Sequence, residues 1–147
     1  MNVIDATKDM LNKYKRMKEF SKGIEIDHTD SMVEGVGLFS NGDTLIKDDI
    51  LGNQTRRANF ILYSVSRGTT DMERLRNNGF LLELGYYLDK QKNIEITGKI
   101  EDKEYPGKIT KIRSSNGMKY SVDTENKNFI YQIQVLVEYK LFTGEEK

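Results

Sequence analysis

The chain contains no cysteine, which excludes disulfide staples, thiolate zinc centres and thiol catalysis and suits a reducing cytoplasm. It has a single proline and no run rich in serine, glycine or proline, so no linker or low-complexity tail divides it. Neither sign of charge is in excess. Lysine plus arginine number 23 and aspartate plus glutamate 23, and a chain without a net field has little to draw it to nucleic acid as a dedicated binder. No apolar run approaches the ~20 residues that span a bilayer, and the opening MNVIDATKDM lacks the basic start and apolar stretch of a signal peptide. The expectation is a protein made and retained in the cytoplasm, with no membrane partner.

Catalytic signatures are equally sparse. His28 is the only histidine. With Asp27 and Asp30 it offers nitrogen and oxygen donors, but three neighbours in one loop seldom converge on a metal with a supporting shell, so a solvated turn is expected. Gly35-Val36-Gly37 lacks the third glycine of a dinucleotide fingerprint and opens no helix. There is no phosphate-loop lysine motif, no Gly-x-Ser-x-Gly elbow and no Cys-His pair. Asn53-Gln54-Thr55 matches a glycosylation acceptor, without any sign of secretion beside it. No catalytic residue, metal or cofactor is expected, and the chain reads as a non-enzyme.

What is present is a regular alternation of elements. At 147 residues the chain fits a single domain over 1–147, long enough to bury roughly two thirds of its unfolded surface. Val3, Ala6, Met10, Tyr14 and Met17 recur at three- and four-residue steps, with Leu11 and Phe20 beside them, and predict an amphipathic helix over 3–22. Gly23 can end it, and Ile24-Glu25-Ile26 alternates as a short strand. Ser40-Asn41-Gly42-Asp43 predicts a hairpin turn between extended runs at 32–39 and 44–47. The polar stretch 48–57 reads as an interface loop.

Phe60-Ile61-Leu62-Tyr63, four large apolar residues in succession, predict a central strand over 58–66 covered on both faces. Thr70-x-x-Glu73 has the spacing of a capping box opening a helix. In that helix Met72, Leu75, Gly79, Leu82 and Tyr86 share a side, while Asn77-Asn78-Gly79 predicts a kink or two short helices. Strands are expected over 94–100 and 105–113 around the charged turn Glu101-Asp102-Lys103-Glu104, and a third over 118–122 after a turn at Ser115-Asn116-Gly117. The last run places Phe129, Tyr131, Ile133, Val135, Val137 and Tyr139 on one face and Gln132, Gln134, Glu138 and Lys140 on the other. A strand this long suggests pairing outside its own domain, hence oligomerisation. The fold class expected is α+β, a mixed or antiparallel sheet with an N-terminal helix and a central broken helix on one face.

The segment 48–91 resembles the tail-terminator and tail-completion proteins of tailed phages and prophages. The matching residues are Asp49-Ile50-Leu51-Gly52-Asn53, Arg56-Arg57, Ser66-Arg67, Asp71-Met72-Glu73, Asn78-Gly79-Phe80, and Glu83 with Tyr86-Tyr87-Leu88. The resemblance implies a virion structural protein, commonly one subunit of a six-fold ring. Such a ring caps the head-proximal end of the tail tube, ends its polymerisation and meets the head connector. Its implied partners are itself, the tail-tube protein, and sheath and connector proteins, in a phage or a headless bacteriocin.

Candidate subunit or tube contacts are Asp48, Asp49, Asn53, Arg56 and Arg57 in the 48–57 stretch, Arg67, the turn residues Glu101, Asp102 and Glu104, and the outer face of the last strand. Arg56, Arg57 and Arg67 suit either non-specific phosphate contact with DNA passing through a ring or salt bridges to nearby aspartates. Phe80, Tyr86, Tyr87 and Tyr131 read as core rather than as a base-stacking platform. Two further functional readings stand beside the terminator: a head-side completion or minor capsid subunit, and a small cytoplasmic binding module.

Overall fold

The computed structural model describes residues 1–19, 24–26, 35–67, 71–123 and 128–144, with 18, 19, 24–26, 35, 36, 64–67, 71–78, 116–123 and 128–130 described by backbone alone. The helix α1 (Val3–Asn12) and a 3₁₀ turn (Lys15–Glu19) precede the strands β1 (Ile24–Ile26), β2 (Gly35–Asp48) and β3 (Gln54–Arg67). The helix α2 (Asp71–Asp89) then crosses to β4 (Ile94–Ile100), β5 (Lys103–Asp123) and β6 (Asn128–Leu141). The six strands form one sheet in the order β1-β2-β3-β6-β5-β4. Only the β1–β2 pair is parallel, so the α+β class with a mixed sheet holds.

The centre of the sheet is β3 against β6, paired antiparallel from Gln54↔Leu141 to Arg67↔Asn128 without a register shift. On one face Ala58, Phe60 and Leu62 of β3 lie among Tyr131, Ile133, Val135, Val137, Tyr139 and Leu141 of β6, all buried. That alternation is the one the sequence shows for the last strand. Both helices cover this face: Ala6, Met10 and Leu11 of α1, Met17, and Phe80, Leu81, Leu84 and Leu88 of α2 join the same core. The helices also meet each other. The Tyr87 hydroxyl donates to the Met10 carbonyl at 2.8 Å, the Tyr14 ring lies 5.0 Å from that of Tyr87, and Arg16 bonds to Glu83.

Several expectations need correction. β6 is not a protruding strand. It is flanked by β3 and β5 along its length, so its length gives no argument for pairing outside the domain. The Phe60–Tyr63 run is central but fully buried on one face only, through Phe60 and Leu62. Ile61 and Tyr63 are half-buried on the other, where Tyr63 meets Phe39 edge-on at 5.1 Å. The first helix stops at Asn12 rather than running to 22, although Ala6, Met10, Leu11 and Met17 are buried as expected and Val3 and Tyr14 pack against them.

Asn77-Asn78-Gly79 does not divide the second helix, which is one element of 19 residues. Four buried apolar side chains against the sheet, each worth ~1.5–3 kcal/mol, outweigh helix-propensity penalties of at most ~1 kcal/mol per residue. Among its described side chains, 79–89, the buried apolar ones are Phe80, Leu81, Leu84 and Leu88. Leu82 and Tyr86, expected inside, are 58% and 61% exposed. The capping threonine, Gly23, Phe20 and the Asp27-His28-x-Asp30 cluster lie outside the described residues.

Two of the three Asn-Gly pairs, Asn41-Gly42 and Asn116-Gly117, were expected to turn the chain, and neither does. β2 runs through Asn41-Gly42, where the register moves from Ser40↔Phe60 to Asp43↔Ala58: three residues on β2 against two on β3, one extra residue accommodated as a bulge. Gly42 has φ 105°, open to glycine and strained for other residues. β5 likewise continues through Asn116-Gly117, between Ser115↔Gln134 and Met118↔Gln132. Further shifts fall at Leu45/Lys47 in β2, and at Ile109/Lys111 and Lys119/Ser121 in β5. The strands flanking the unshifted central pair thus carry all the extra residues, as bending around a twisted centre requires.

Candidate functional site

The bulge in β2 has a direct chemical result. Side chains alternate along a strand, so without the extra residue Asp43 would face away from Leu38 and Ser40. With it, Asp43 lies on the helix-covered face, beside Arg56 of β3 and Tyr139 of β6. The Arg56 Nε donates to Asp43 Oδ1 at 2.6 Å and its Nη1 to Gln54 Oε1 at 3.0 Å. The Tyr139 hydroxyl donates to Asp43 Oδ2. The hydrogen bond that Arg56 donates to Asp43 holds the guanidinium still more firmly in its charged form. Burial pushes the Tyr139 hydroxyl well above the ordinary tyrosine value, and its bond to the Asp43 carboxylate adds to this. Tyr139 is therefore a fixed neutral donor, and the three groups form a paired network with no nucleophile exposed.

The network forms one wall of a cleft of about 480 Å³. There the helix-covered face of the sheet runs on past the start of α1, at whose N-terminus the Asn2 side chain accepts from the Asp5 amide at 2.9 Å. Val3 and Ile4 form the opposite wall, Ile96, Gly98 and Leu141 the floor, and Lys99 and Ile100 the rim. Gly98 and Gly107 keep the floor low. A Cβ on Gly98 would meet the Leu141 side chain at 2.7 Å, and one on Gly107 the Lys140 carbonyl at 2.4 Å.

The cleft opens at one end of the sheet. Asp48, Gln54, Leu141, Gly107 and Ile96 lie in one paired row across β2, β3, β6, β5 and β4. Beyond that row project the loop 49–53, the two-residue turn Glu101-Asp102 and residues 142–144. The loop is tied down rather than loose. Asp49 Oδ1 accepts from the amides of Leu51 and Asn53, both at 2.9 Å. Thr143 Oγ1 donates to the Gly52 carbonyl at 2.6 Å, and the Gly144 amide donates to Asn53 Oδ1 at 2.8 Å. The Asn53 amide, first among these donors, draws the Asp49 carboxyl below its usual value.

At this end lie seven of the nine exposed large apolar side chains among the described residues: Met1, bonded to Thr97 of β4, and Leu45, Ile46, Ile50, Leu51, Ile100 and Phe142. Ile50 is as exposed as in an extended chain, at 103%, and Leu51 is 62% exposed.

The predicted contact residues therefore divide. Asp49, Asn53, Glu101 and Asp102 are in the projecting turns, with Asp48 and Glu104 at the adjoining strand ends. Gln54, Thr55, Arg56 and Arg57 are in β3, not in a loop. Arg56 is committed within its own chain to Asp43, the salt-bridge alternative. Arg57 is exposed on the opposite face of the sheet, in register with Glu138 and Thr44. The Arg67 backbone pairs with Asn128 near the far end of β3, and its side chain lies outside the description. On the uncovered sheet face Gln134 is exposed, and Gln132, Glu138 and Lys140 are half-exposed.

The sequence reading missed Asp43, Tyr139 as a polar partner, and the apolar residues of the tip. An Ile-Leu pair between an aspartate and a glycine was the available signal for the last.

Among the described residues no group of acidic and histidine side chains could hold a metal, and no helix is long and apolar enough to cross a membrane. No protein-family model matches the chain, and no curated protein matches it.

Proposed function

We propose that the protein is a structural subunit of a tail-assembly ring. It caps the head-proximal end of the tail tube of a phage or headless tail-like particle, ends tube polymerisation and presents the joint to the connector. The observation that carries this reading is the one-ended placement of exposed apolar side chains on tethered turns of a continuous sheet. A terminator needs such a surface, because one end must dock while another refuses further tube subunits. The segment resembling tail terminators includes the loop at this end. No catalysis is assigned. Any DNA contact is non-specific and through phosphates, with Arg57, exposed on the sheet face away from the helices, available for it. The protein assembles in the bacterial cytoplasm and becomes part of the particle.

The test is the mass of the purified protein by light scattering, alone and with tail-tube subunits, alongside negative-stain images. Rings of about six subunits, the count commonest for this class, or tubes capped at one end, are expected. A strict monomer that neither caps nor shortens tubes would move the assignment to a head-side completion subunit or a binding module.

A further inference from the structure

We infer that the cleft receives the 49–53 tip of a second copy of this chain, with Ile50 and Leu51 of one subunit seated against Val3, Ile4, Ile96 and Ile100 of the next. The inference rests on the ring reading and specifies its contact.

Four observations converge on it. First, the tip presents two adjacent apolar side chains to water, and Ile50 has no cover from its own chain; exposed apolar pairs on a rigid projection are the usual anchors of an interface. Second, the tip is ordered in advance by Asp49, Thr143 and Gly144, so docking loses little conformational entropy. Third, a cleft of about 480 Å³ lies within the ~300–1,000 Å³ range of sites that enclose a largely apolar guest. Its polar wall is already satisfied internally, since Asp43 is paired with Arg56 and Tyr139. Fourth, the charges agree: Asp48 and Asp49 flank the tip, while Lys99 and the amino end of α1 border the cleft.

The tip joins the second and third strands of the sheet order, and the cleft extends to the sixth. Donor and acceptor surfaces are therefore different patches of one subunit. A contact between them is head-to-tail, the kind that closes into a ring when its rotation permits. A tip meeting a tip would give a two-fold dimer instead.

The absence of cysteine makes the contact directly testable by crosslinking. Two full-length variants, Ile50→Cys and Ile100→Cys, are mixed under conditions where the unsubstituted protein forms rings, and then mildly oxidised. The expected product is the disulfide between the two different variants, running as a ladder when both substitutions are in one chain. Crosslinking of Ile50→Cys to itself alone, or rings without the mixed disulfide, would overturn the inference. As a second arm, Asp48→Lys and Lys99→Glu should each reduce ring yield at least tenfold, and their combination should restore it. Ile50→Asp with Leu51→Asp should leave the melting temperature unchanged and give monomers. If that variant still forms rings at full yield, the tip contact fails while the ring reading stands. If the unsubstituted protein never self-associates, alone or with tube subunits, the ring reading itself fails.

Discussion

Asp49 and Tyr139 show how single side chains hold the projecting end of the sheet together. Asp49 accepts two amides of its own loop, and its carboxyl is held below its usual value. A group whose folded value is depressed contributes order that is complete above the unfolded value of about 4 and is lost as pH falls through the folded one. Amide protection at Leu51 and Asn53, measured relative to the intrinsic exchange rate at each pH, should therefore fall on acidification below about pH 4, before that of the core amides. Asp49→Ala should show the same fast exchange at neutral pH, and unchanged protection in that variant would show that the carboxylate does not order the loop.

For Tyr139 the sign is opposite. Its raised value favours the neutral hydroxyl, so its contribution is present through neutral pH and is lost only in strong alkali. Tyr139→Phe removes the donor to Asp43 and should cost about 1–3 kcal/mol, read as a shift in the denaturation midpoint at unchanged slope. A shift within error would mean that water replaces the hydroxyl without loss.

At the scale of elements, glycine position decides between opposite outcomes. Gly79 sits within α2, and a Cβ there would meet nothing closer than Arg16 Nη1 at 4.0 Å. Gly79→Ala should stabilise the protein by about 0.5–1 kcal/mol by removing helix-interior glycine. Gly42 occupies the β2 bulge at φ 105°. Gly42→Ala should destabilise by about 1–2 kcal/mol and weaken the Asp43–Arg56 pair by disturbing the bulge that aims it. Thermal melts of the two variants should move in opposite directions, and parallel shifts would contradict the reading of the bulge.

The elements also show what a linear pattern can and cannot convey. The buried face of β6 was legible because β6 has no bulge, and the period of two survives from Tyr131 to Leu141. β5 was read as two strands because Ser115-Asn116-Gly117 carries a turn signal, and its alternation breaks as well. Ile109 and Ile112, three residues apart, both reach the core because an extra residue lies between Ile109 and Lys111. Asn-Gly favours positive φ, and hairpin turns and bulges both use it. Which one forms depends on whether a partner strand continues alongside, and that information is non-local. The face of α2 was misread for a similar reason. Its apolar residues suit two helical stripes, and the sheet and α1 selected Phe80, Leu81, Leu84 and Leu88.

For the whole molecule, the pairing of β3 with β6 joins residues 54–67 to 128–141, so the core cannot close until nearly the entire chain is in place. Chemical denaturation should give one cooperative transition with coincident fluorescence and circular dichroism, and amides of the β6 centre, Ile133 to Val137, should be the last to exchange. Separate transitions would divide the chain into two units. Folding should be slow for the chain's size, because non-local pairing must precede most of the burial.

By itself, the sequence determined the α+β class, an amphipathic N-terminal helix though not its end at Asn12, the β4–β5 hairpin and the inward face of the last strand. Each rests on a local period or turn preference that neighbours along the chain can express. Only the tertiary structure decided that β6 lies at the centre of the sheet, and that Asn41-Gly42 turns Asp43 toward Arg56 and Tyr139. It also gathered the 49–53 loop, the Glu101-Asp102 turn and residues 142–144 at one end. The physical reason is register: one extra residue in a strand reverses which face its side chains meet, and whether that residue is accommodated is settled by the strand alongside, which at Asn41-Gly42 lies 15 to 20 positions further along the chain (Asp43↔Ala58, Ser40↔Phe60).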